Sequence, residues 1–273
     1  MTAGGDAPGP PVIVKLGGSL ITRKREVEKL RPKVLARLAR ELGGAGRPPL
    51  IVLHGAGSFG HPGAKRFGLA APPAEGARAA AERVRGAAIV SAEVRRLHLA
   101  VLRELVRAHL DPFSVPTATI ARNRGGEFAA IDAGPLEEVL ARGGVPVGFG
   151  DVVPDDAWGY SILSADRIAE ELVPIVRPSR VVFAADVPGI YEPARSGRRA
   201  VVPEISDELI EQLGASSRAA DVTGGIRGKA RTMRRIARAG VDAVLISGLT
   251  DGALARAIRG ESVYGSWAHA RPG

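Results

Sequence analysis

The lysines of this sequence are the first residues to consider for chemistry. The chain has 32 arginines but only six lysines, and Lys15, Lys24 and Lys229 each lie in or beside a glycine-rich segment. An ammonium group is a compact point charge that can approach a phosphoryl oxygen closely, whereas a guanidinium group is a broad planar fork. Positive charges and backbone amides that converge on one point are what phosphoryl transfer requires. These three lysines are therefore candidates for that reaction.

A second candidate is the segment HGAGSFGH, which covers residues 54–61. Its core from Gly55 to Gly60 has the G-x-G-x-x-G spacing and follows an apolar run that predicts a strand. A dinucleotide site would need an acidic residue about 20 positions later, at the end of the next strand. Glu75 has that distance but lies in a Pro/Ala-rich stretch. We therefore interpret residues 55–60 as a phosphate-binding loop, and a nicotinamide-dependent oxidoreductase is the less favoured alternative.

Two carboxylates follow other predicted strands, and a further glycine pair lies at the start of a predicted helix. Asp151 comes directly after VPVGFG, and Asp186 ends the run VVFAAD. The segment DVTGGIRGKARTM places Gly225 at a predicted helix start and Lys229 one turn later. Loops after parallel strands are where α/β sheets bind ligands. The sequence thus predicts that these residues meet the lysines at one edge of a sheet.

Alternating apolar strands and amphipathic helices must position these residues. The predicted strands are residues 12–16, 50–54, 145–149, 180–186 and 242–247. The predicted helices are residues 27–42, 76–110, 134–142, 165–176, 206–213, 226–239 and 251–259. This alternation is typical of an α/β fold with a mostly parallel sheet and helices on both faces. Residues 122–131 and 154–162 have the pattern of hairpins that lie over the edge of the sheet.

Composition excludes several other classes of protein. The 273-residue chain has no cysteine, which rules out disulfides, thiolate metal sites and a cysteine nucleophile. It has no apolar run of about 18 residues that could span a membrane. The formal net charge is +9, but the arginines are spread among glutamates on amphipathic stretches, so no nucleic-acid partner is expected. We expect a disordered leader at 1–11, a single two-lobed domain at 12–273, and a cytoplasmic protein.

Five motifs in this order resemble the amino acid kinase superfamily and, within it, the isopentenyl phosphate kinases. They are VIVKLGGSLITRK, LIVLHGAGSFGHP, GFGDVVPDDAWGYSILSADRIA, VVFAADVPGIYE and DVTGGIRGKARTM. The resemblance implies an open αβα sandwich with an acceptor-side lobe and a nucleotide-side lobe, usually a homodimer. It also implies transfer of the γ-phosphate of ATP to isopentenyl phosphate, an isoprenoid monophosphate. Mg²⁺ would be held mainly by ATP oxygens rather than by a protein metal site.

The resemblance also implies a role for individual residues. The catalytic residues would be Lys15, Lys24, His61, Asp151 and Lys229, with Asp151 orienting the lysines and Lys24 stabilising the transition state. The ATP contacts would be Lys15, Gly17, Gly18, Ser19, Gly57, Asp186, Gly225 and Lys229. The acceptor phosphate would be bound by the backbone amides of Gly55 and Ala56, by His61 and beside Ala165.

The motifs depart from the family pattern at four positions. Ala56 stands where glycine is usual, and it must avoid a positive φ. The other departures are Ala165, Phe149 and Ala185. They bear on the identity of the acceptor more than on phosphoryl transfer, and a fosfomycin kinase-like enzyme is the first alternative. Of the remaining histidines, His54 is expected to be a structural hydrogen-bonding residue and His98 a surface residue.

Overall fold

The computed structural model describes residues 9–46, 48–192, 200–216 and 225–270. Seven strands form a sheet in the order β11-β10-β9-β1-β2-β6-β3, in which every pair is parallel except β10 and β11. The strands of this sheet are β1 (Val12–Leu16), β2 (Leu50–His54), β3 (Pro112–Ser114), β6 (Val145–Phe149), β9 (Arg180–Ala185), β10 (Ala243–Ser247) and β11 (Gly265–Ala268).

Ten helices connect and cover the strands in the described part of the chain. They are α1 (Gly18–Ile21), α2 (Pro32–Gly43), α3 (Gly57–Arg66), α4 (Ala77–Arg107), α5 (Thr117–Ile120), α6 (Gly134–Ala141), α7 (Ala165–Val176), α8 (Asp207–Ser216), α9 (Gly225–Arg238) and α10 (Ala253–Arg259). None of these helices is long and apolar enough to cross a membrane.

Alternation along the strands divides the core into two layers. Successive side chains of a strand point to opposite faces of a sheet. In β1, Ile13 packs in the layer that contains α7 and α9, whereas Val12, Val14 and Leu16 pack in the layer that contains α2, α4 and α10. Helices on both faces of a largely parallel sheet make an αβα sandwich, as the sequence predicts. Lys15 follows the same alternation as Ile13 and so faces α7 and α9.

A second, four-stranded sheet consists of the two predicted hairpins. Its strands are β4 (Ala121–Arg124), β5 (Glu127–Ile131), β7 (Asp151–Asp155) and β8 (Gly159–Leu163), in the order β5-β4-β7-β8. The carboxylate of Asp155 joins the two turns, because it accepts hydrogen bonds from the amides of Gly126 and Trp158 at 2.8 and 2.7 Å. β7 follows β6 directly in the chain, so the hairpins are tied to the half of the main sheet that contains β6.

The structure confirms the five predicted main-sheet strands and adds four short elements that were not predicted, α1, α5, β3 and β11. It also differs from the sequence predictions in three further places. The helix predicted from residue 27 begins at Pro32, because residues 23–29 fold back, with Arg23 N–H donating to Lys29 O at 2.8 Å. Residues 57–66 form a helix that was not predicted. Pro11, the last residue of the predicted leader, is buried, and its carbonyl accepts a hydrogen bond from Ser179 N–H. Residues 1–8 of that leader lie outside the described residues.

Candidate active site

The loops that carry the candidate residues follow the carboxyl ends of parallel strands and lie at one edge of the main sheet. The Gly17–Ser19 segment follows β1, and the Gly55–Gly57 segment follows the neighbouring strand β2. Asp186 follows β9 on the other side of β1. The sheet order therefore brings together segments that are more than 100 residues apart in the sequence.

The two glycine segments pack directly against each other. A methyl group built on Gly18 would lie 2.4 Å from the amide nitrogen of Gly57, and one built on Gly55 would lie 2.8 Å from the amide nitrogen of Gly18. Gly57 has a φ of +51°, a conformation that side chains disfavour. The glycines at these positions are thus required by the contact between the loops as well as by any ligand.

Four backbone amides in these segments have no acceptor among the described residues. They belong to Gly18, Ser19, Ala56 and Gly57. The first amides of a helix lack partners within that helix and form a natural anion site. Ala56 has a φ of −69°, so alanine fits there without strain.

The prediction that Gly55 offers its amide to a phosphate is wrong, because that N–H donates to Leu16 O at 3.0 Å. Fewer amides of the predicted phosphate-binding loop, residues 55–60, are available to a ligand than expected. Ser58 N–H donates to Thr22 Oγ1, and the amides of Phe59 and Gly60 donate to Ala56 O within the first turn of α3. Of the amides in this segment, those of Ala56 and Gly57 are left for a ligand.

Lys15 and Lys229 meet across one carboxylate, that of Asp166. The Lys15 Nζ lies 2.7 Å from Asp166 Oδ1, and the Lys229 Nζ lies 2.6 Å from Asp166 Oδ2. Asp166 is in the first turn of α7, where a negative charge is favoured by the helix dipole. Lys229, one turn after the start of α9, also lies 5.2 Å from the centre of the Phe183 ring. We call Lys15, Asp166 and Lys229 the lysine–aspartate cluster.

The electrostatics of the cluster follow from burial and mutual contact. Burial lowers the pKa of Lys15 to about 8; Asp166 acts against this shift and the charge of Lys229 adds to it. Burial on its own raises the pKa of Asp166, but the charges of Lys15 and Lys229 outweigh it and hold that pKa well below its usual range. Near pH 7 the cluster therefore consists of a protonated Lys15 and an ionised Asp166.

The carboxylate that contacts both lysines is that of Asp166, whereas the sequence prediction gave this place to Asp151. The carboxylate of Asp151 is buried at the start of β7 and is paired with Arg95 at 3.3 Å. It also accepts a hydrogen bond from Val152 N–H at 2.8 Å. Burial raises the pKa of Asp151 to about 6, although Arg95 acts in the opposite direction. Asp166 is part of the predicted SADRIA motif, but its contacts become visible only in three dimensions.

Four residues that were predicted to contact the nucleotide lie on the loops after β1 and β9 and at the start of α9. Ser19 Oγ donates to Asp186 Oδ1 at 3.0 Å, which joins the β1 and β9 loops. The loop after β1 is also joined to β9 by the N–H of Gly17, which donates to Ala184 O. Gly225 is the first residue of α9, and Gly224 lies outside the described residues. Among the described residues there is no group of three or more acidic or histidine side chains that could hold a metal ion.

Three other predicted residues lie around the glycine segments. His61 is exposed on α3, one turn after Gly57, and helical side chains lean toward the preceding turn. Ala165 is the buried first residue of α7, next to Asp166. Lys24 is exposed in the folded-back loop and is not part of the lysine–aspartate cluster. That loop is docked on α3, because Lys29 N–H donates to Ser58 Oγ at 3.2 Å.

Of the predictions for His54 and His98, the one that placed His98 on the surface is wrong. His54 is fully buried and structural, as expected, but His98 is also buried, with 5% of its surface exposed. Its Nδ1 lies 3.0 Å from His54 Nε2. Phe149 is buried beside both rings, with centroid distances of 5.4 Å to His54 and 4.3 Å to His98.

Comparisons with known proteins agree with this architecture. The model of the amino acid kinase family matches residues 10–247. An isopentenyl phosphate kinase from Methanothermobacter thermautotrophicus is 32% identical over 265 residues, which are 93% of this chain and 97% of that relative. An isopentenyl phosphate kinase from Thermoplasma acidophilum is 32% identical over 224 residues, which are 81% of this chain and 85% of that relative.

Solved structures extend the similarity to the fold. One chain, from X-ray structures of isopentenyl phosphate kinase, has a TM-score of 0.83 and 29% identity, with 94% of this chain and 99% of that chain covered. Almost the whole length of both chains is therefore aligned.

Proposed function

The chain belongs to the amino acid kinase family, and from this premise we propose that it transfers the γ-phosphoryl group of ATP to isopentenyl phosphate, giving isopentenyl diphosphate and ADP. In this reaction an oxygen of the acceptor phosphate forms a bond to the γ-phosphorus. The bond from that phosphorus to the bridging oxygen of ADP breaks. The acceptor is already a phosphate, so no carbon–oxygen bond changes.

The observation that carries the proposal is the lysine–aspartate cluster beside four free amides. Negative charge on the oxygens around the transferring phosphorus must be stabilised. Lys15 and Lys229 supply two positive charges to that position, and Asp166 holds both ammonium groups in place. The amides of Gly18 and Ser19 follow β1 on the nucleotide side. We propose that Lys24, on the adjacent loop, reaches the same phosphoryl group when both substrates are bound.

The acceptor phosphate is proposed to lie at the N-terminal end of α3. The amides of Ala56 and Gly57 have no acceptor among the described residues, and the helix dipole favours a negative charge there. His61 lies one turn after Gly57 and would add a donor for a dianionic phosphate. The buried N-terminal end of α7 at Ala165 is proposed to form the opposite wall.

Mg²⁺ is proposed to bind mainly to the ATP phosphates, with the partly exposed carboxylate of Asp186 as the protein group nearest to them. The ion would neutralise charge on the β- and γ-phosphates. Asp166 is not available to it, because each of its oxygens already faces a lysine.

A substrate panel tests the function. ADP release is measured with isopentenyl phosphate, dimethylallyl phosphate, fosfomycin, acetylglutamate and UMP, and a product diphosphate is identified by mass spectrometry. We expect the highest kcat/KM with isopentenyl phosphate. A higher kcat/KM with fosfomycin or with an amino acid would overturn the choice of acceptor while leaving phosphoryl transfer intact.

A histidine substitution tests the place of the acceptor. His61→Ala should lower kcat/KM for isopentenyl phosphate by about 10²-fold, the usual effect of removing one donor to a charged reacting group. The Kd of ATP should stay within about twofold, because the nucleotide contacts lie on other loops. His109→Asn, at an exposed histidine beyond α4, is the matched control. Acceptor kinetics within about threefold of wild type would contradict the role of His61.

A homodimer is proposed from an apolar surface at the β3 edge of the sheet. Leu99 and Val106 of α4 are 47% and 59% exposed, and Phe113 of the edge strand β3 is 54% exposed. α4 packs against β3, so these side chains are on neighbouring elements. Light scattering after gel filtration should give the mass of a dimer for the wild type and that of a monomer for Phe113→Arg. A monomeric wild type would refute this assembly.

A further inference from the structure

Three polar side chains form a chain of hydrogen bonds that ends at the acceptor-side glycine segment. His54 is the last residue of β2, His98 lies on α4, and Ser114 is the last residue of β3. His54 Nδ1 is 3.2 Å from Gly55 O, His54 Nε2 is 3.0 Å from His98 Nδ1, and His98 Nε2 is 2.8 Å from Ser114 Oγ. Neither histidine takes part in phosphoryl transfer as described above.

The partners of these atoms determine where each proton lies. A carbonyl oxygen can only accept, so the proton of His54 must be on Nδ1. A neutral imidazole has one N–H, so His54 Nε2 accepts from His98 Nδ1–H. His98 Nε2 then accepts from the Ser114 hydroxyl. All three hydrogen bonds are therefore donated in the direction of Gly55.

Burial keeps both rings in the neutral form that this arrangement needs. Burial lowers the pKa of His54 to about 4, and the charge of Lys15 lowers it further, although the Gly55 carbonyl acts in the opposite direction. Burial lowers the pKa of His98 to about 3, with smaller effects from His54 and Arg95. Phe149 packs beside both rings and limits their rotation.

The last hydrogen bond fixes a peptide plane. The Gly55 carbonyl and the Ala56 N–H belong to one trans peptide unit and point in opposite directions. Gly55 is also held at its own N–H, which donates to Leu16 O at 3.0 Å. Because the carbonyl points toward the fully buried His54 ring, the Ala56 N–H points away from it, toward the side where it has no acceptor among the described residues.

We propose that His54, His98 and Ser114 form a positioning chain that orients the Ala56 amide toward the phosphate of the acceptor. The identity of that acceptor rests on the proposed function, whereas the orientation of the amide does not. The three side chains are positioning residues, because none of them touches the reacting atoms. They explain why two neutral histidines occupy the core behind this loop.

Substitution of His98 tests the proposal at a distance from the substrates. His98→Leu has a similar volume but cannot donate to His54 Nε2, so His54 is free to adopt the other tautomer. We expect the KM for isopentenyl phosphate to rise about tenfold, which is the effect of weakening one hydrogen bond to a charged group. The KM for ATP should stay within about twofold. His98→Asn keeps a donor near the Nδ1 position and should restore most of the acceptor affinity.

The control is Ser266→Ala at the opposite edge of the main sheet. Ser266 is fully buried, accepts from Ile190 N–H at 2.8 Å and donates to Val202 O at 2.6 Å. Its loss should lower Tm without raising the acceptor KM. A folded His98→Leu with unchanged acceptor KM, or with equal changes in both KM values, would overturn the positioning role.

The tautomers of the wild-type protein provide a test that needs no variant. Long-range ¹⁵N–¹H spectra should show both His54 and His98 protonated at Nδ1, and a His54 ring protonated at Nε2 would overturn the proposal. If the wild type does not phosphorylate isopentenyl phosphate, the proposed function fails. The positioning chain is then judged by these spectra and by the Kd of inorganic phosphate, which His98→Leu should weaken about tenfold.

Discussion

Replacement of Asp166 by asparagine should change the pH dependence of catalysis as well as its rate. The carboxylate faces Lys15 and Lys229 at 2.7 and 2.6 Å and raises the pKa of Lys15, which burial lowers to about 8. An opposite charge at this distance is worth roughly 1–3 pH units. Asparagine has the same shape without the charge, so the pKa of Lys15 should fall by roughly 1 pH unit or more in the variant.

The size of the effect follows from the fraction of Lys15 that is protonated. Catalysis needs the charged ammonium, so kcat/KM for ATP falls as the pH rises through the pKa of Lys15 in the free enzyme. At pH 8 about half of Lys15 is protonated in the wild type, against about one in eleven if the pKa drops by about one unit, a fivefold loss. The two lysines also lose their shared anchor, and we expect a total loss of about 10² at that pH.

The assay is kcat/KM for ATP between about pH 6 and pH 9 at a fixed isopentenyl phosphate concentration well below its KM, so that the profile reports the free enzyme. The matched control is Asp151→Asn, which removes a buried carboxylate that is paired with Arg95 instead of the lysines. The alkaline fall in activity should move to lower pH in Asp166→Asn and should stay near pH 8 in the control. If Asp166→Asn kept the wild-type profile, or if both variants shifted equally, the role of Asp166 would be refuted.

Three further predictions concern the cluster, the loops and stability. Lys15→Met and Lys229→Met should each lower kcat by about 10²–10³-fold with little change in Tm. Lys15→Arg should have little activity, because the planar guanidinium group cannot occupy the site of the ammonium group. Near-full activity of Lys15→Arg would contradict this reasoning. Gly18→Ala places a methyl group 2.4 Å from Gly57 N, so steady-state kinetics should show higher KM values for both substrates, and an unchanged acceptor KM would contradict the coupling of the loops. The free energy of unfolding, measured in urea, should fall by about 2 kcal/mol as the pH is lowered from 6 to 4. The unfolded chain protonates His54 and His98 in this range, whereas their pKa values of about 4 and 3 in the fold keep them neutral over most of it, and the pKa of about 6 of Asp151 offsets only one of these two protons. A stability that does not change with pH would exclude this linkage.

The sheet and most helices could be predicted from the sequence because each carries its own pattern. The five predicted main-sheet strands are short apolar runs that end in polar or glycine-rich segments, and α4 is long and amphipathic. α3 was missed because Gly57, Gly60, Pro62 and Gly63 are poor helix formers. Its helical conformation is stabilised by contacts with α1 and α4, which no local pattern reveals.

The two lysines of the lysine–aspartate cluster could be singled out because lysine is rare in this sequence, but the carboxylate that they contact could not. Asp151 follows a predicted strand and Asp166 lies at the start of a predicted helix, and the sequence does not say which carboxylate the lysines contact. The face of β1 on which Lys15 lies decides the choice, since α7 covers that face. His98 did leave a signal, because it lies on the buried stripe of α4 with Val94 and Val101 at spacings of four and three.

The lysine–aspartate cluster carries its own counterion. With two ammonium groups and one carboxylate, it presents one net positive charge to an incoming anion. A nucleotide phosphate must therefore compete with Asp166 for the lysines. The binding free energy that it gains is only the difference between its own attraction to the lysines and the attraction of Asp166 to them. Small anions such as chloride gain little from that exchange, whereas a phosphate that also reaches the free amides gains more. Affinity for ATP should thus depend on ionic strength less steeply than two unpaired lysines would make it, because closely paired, partly buried charges are weakly screened.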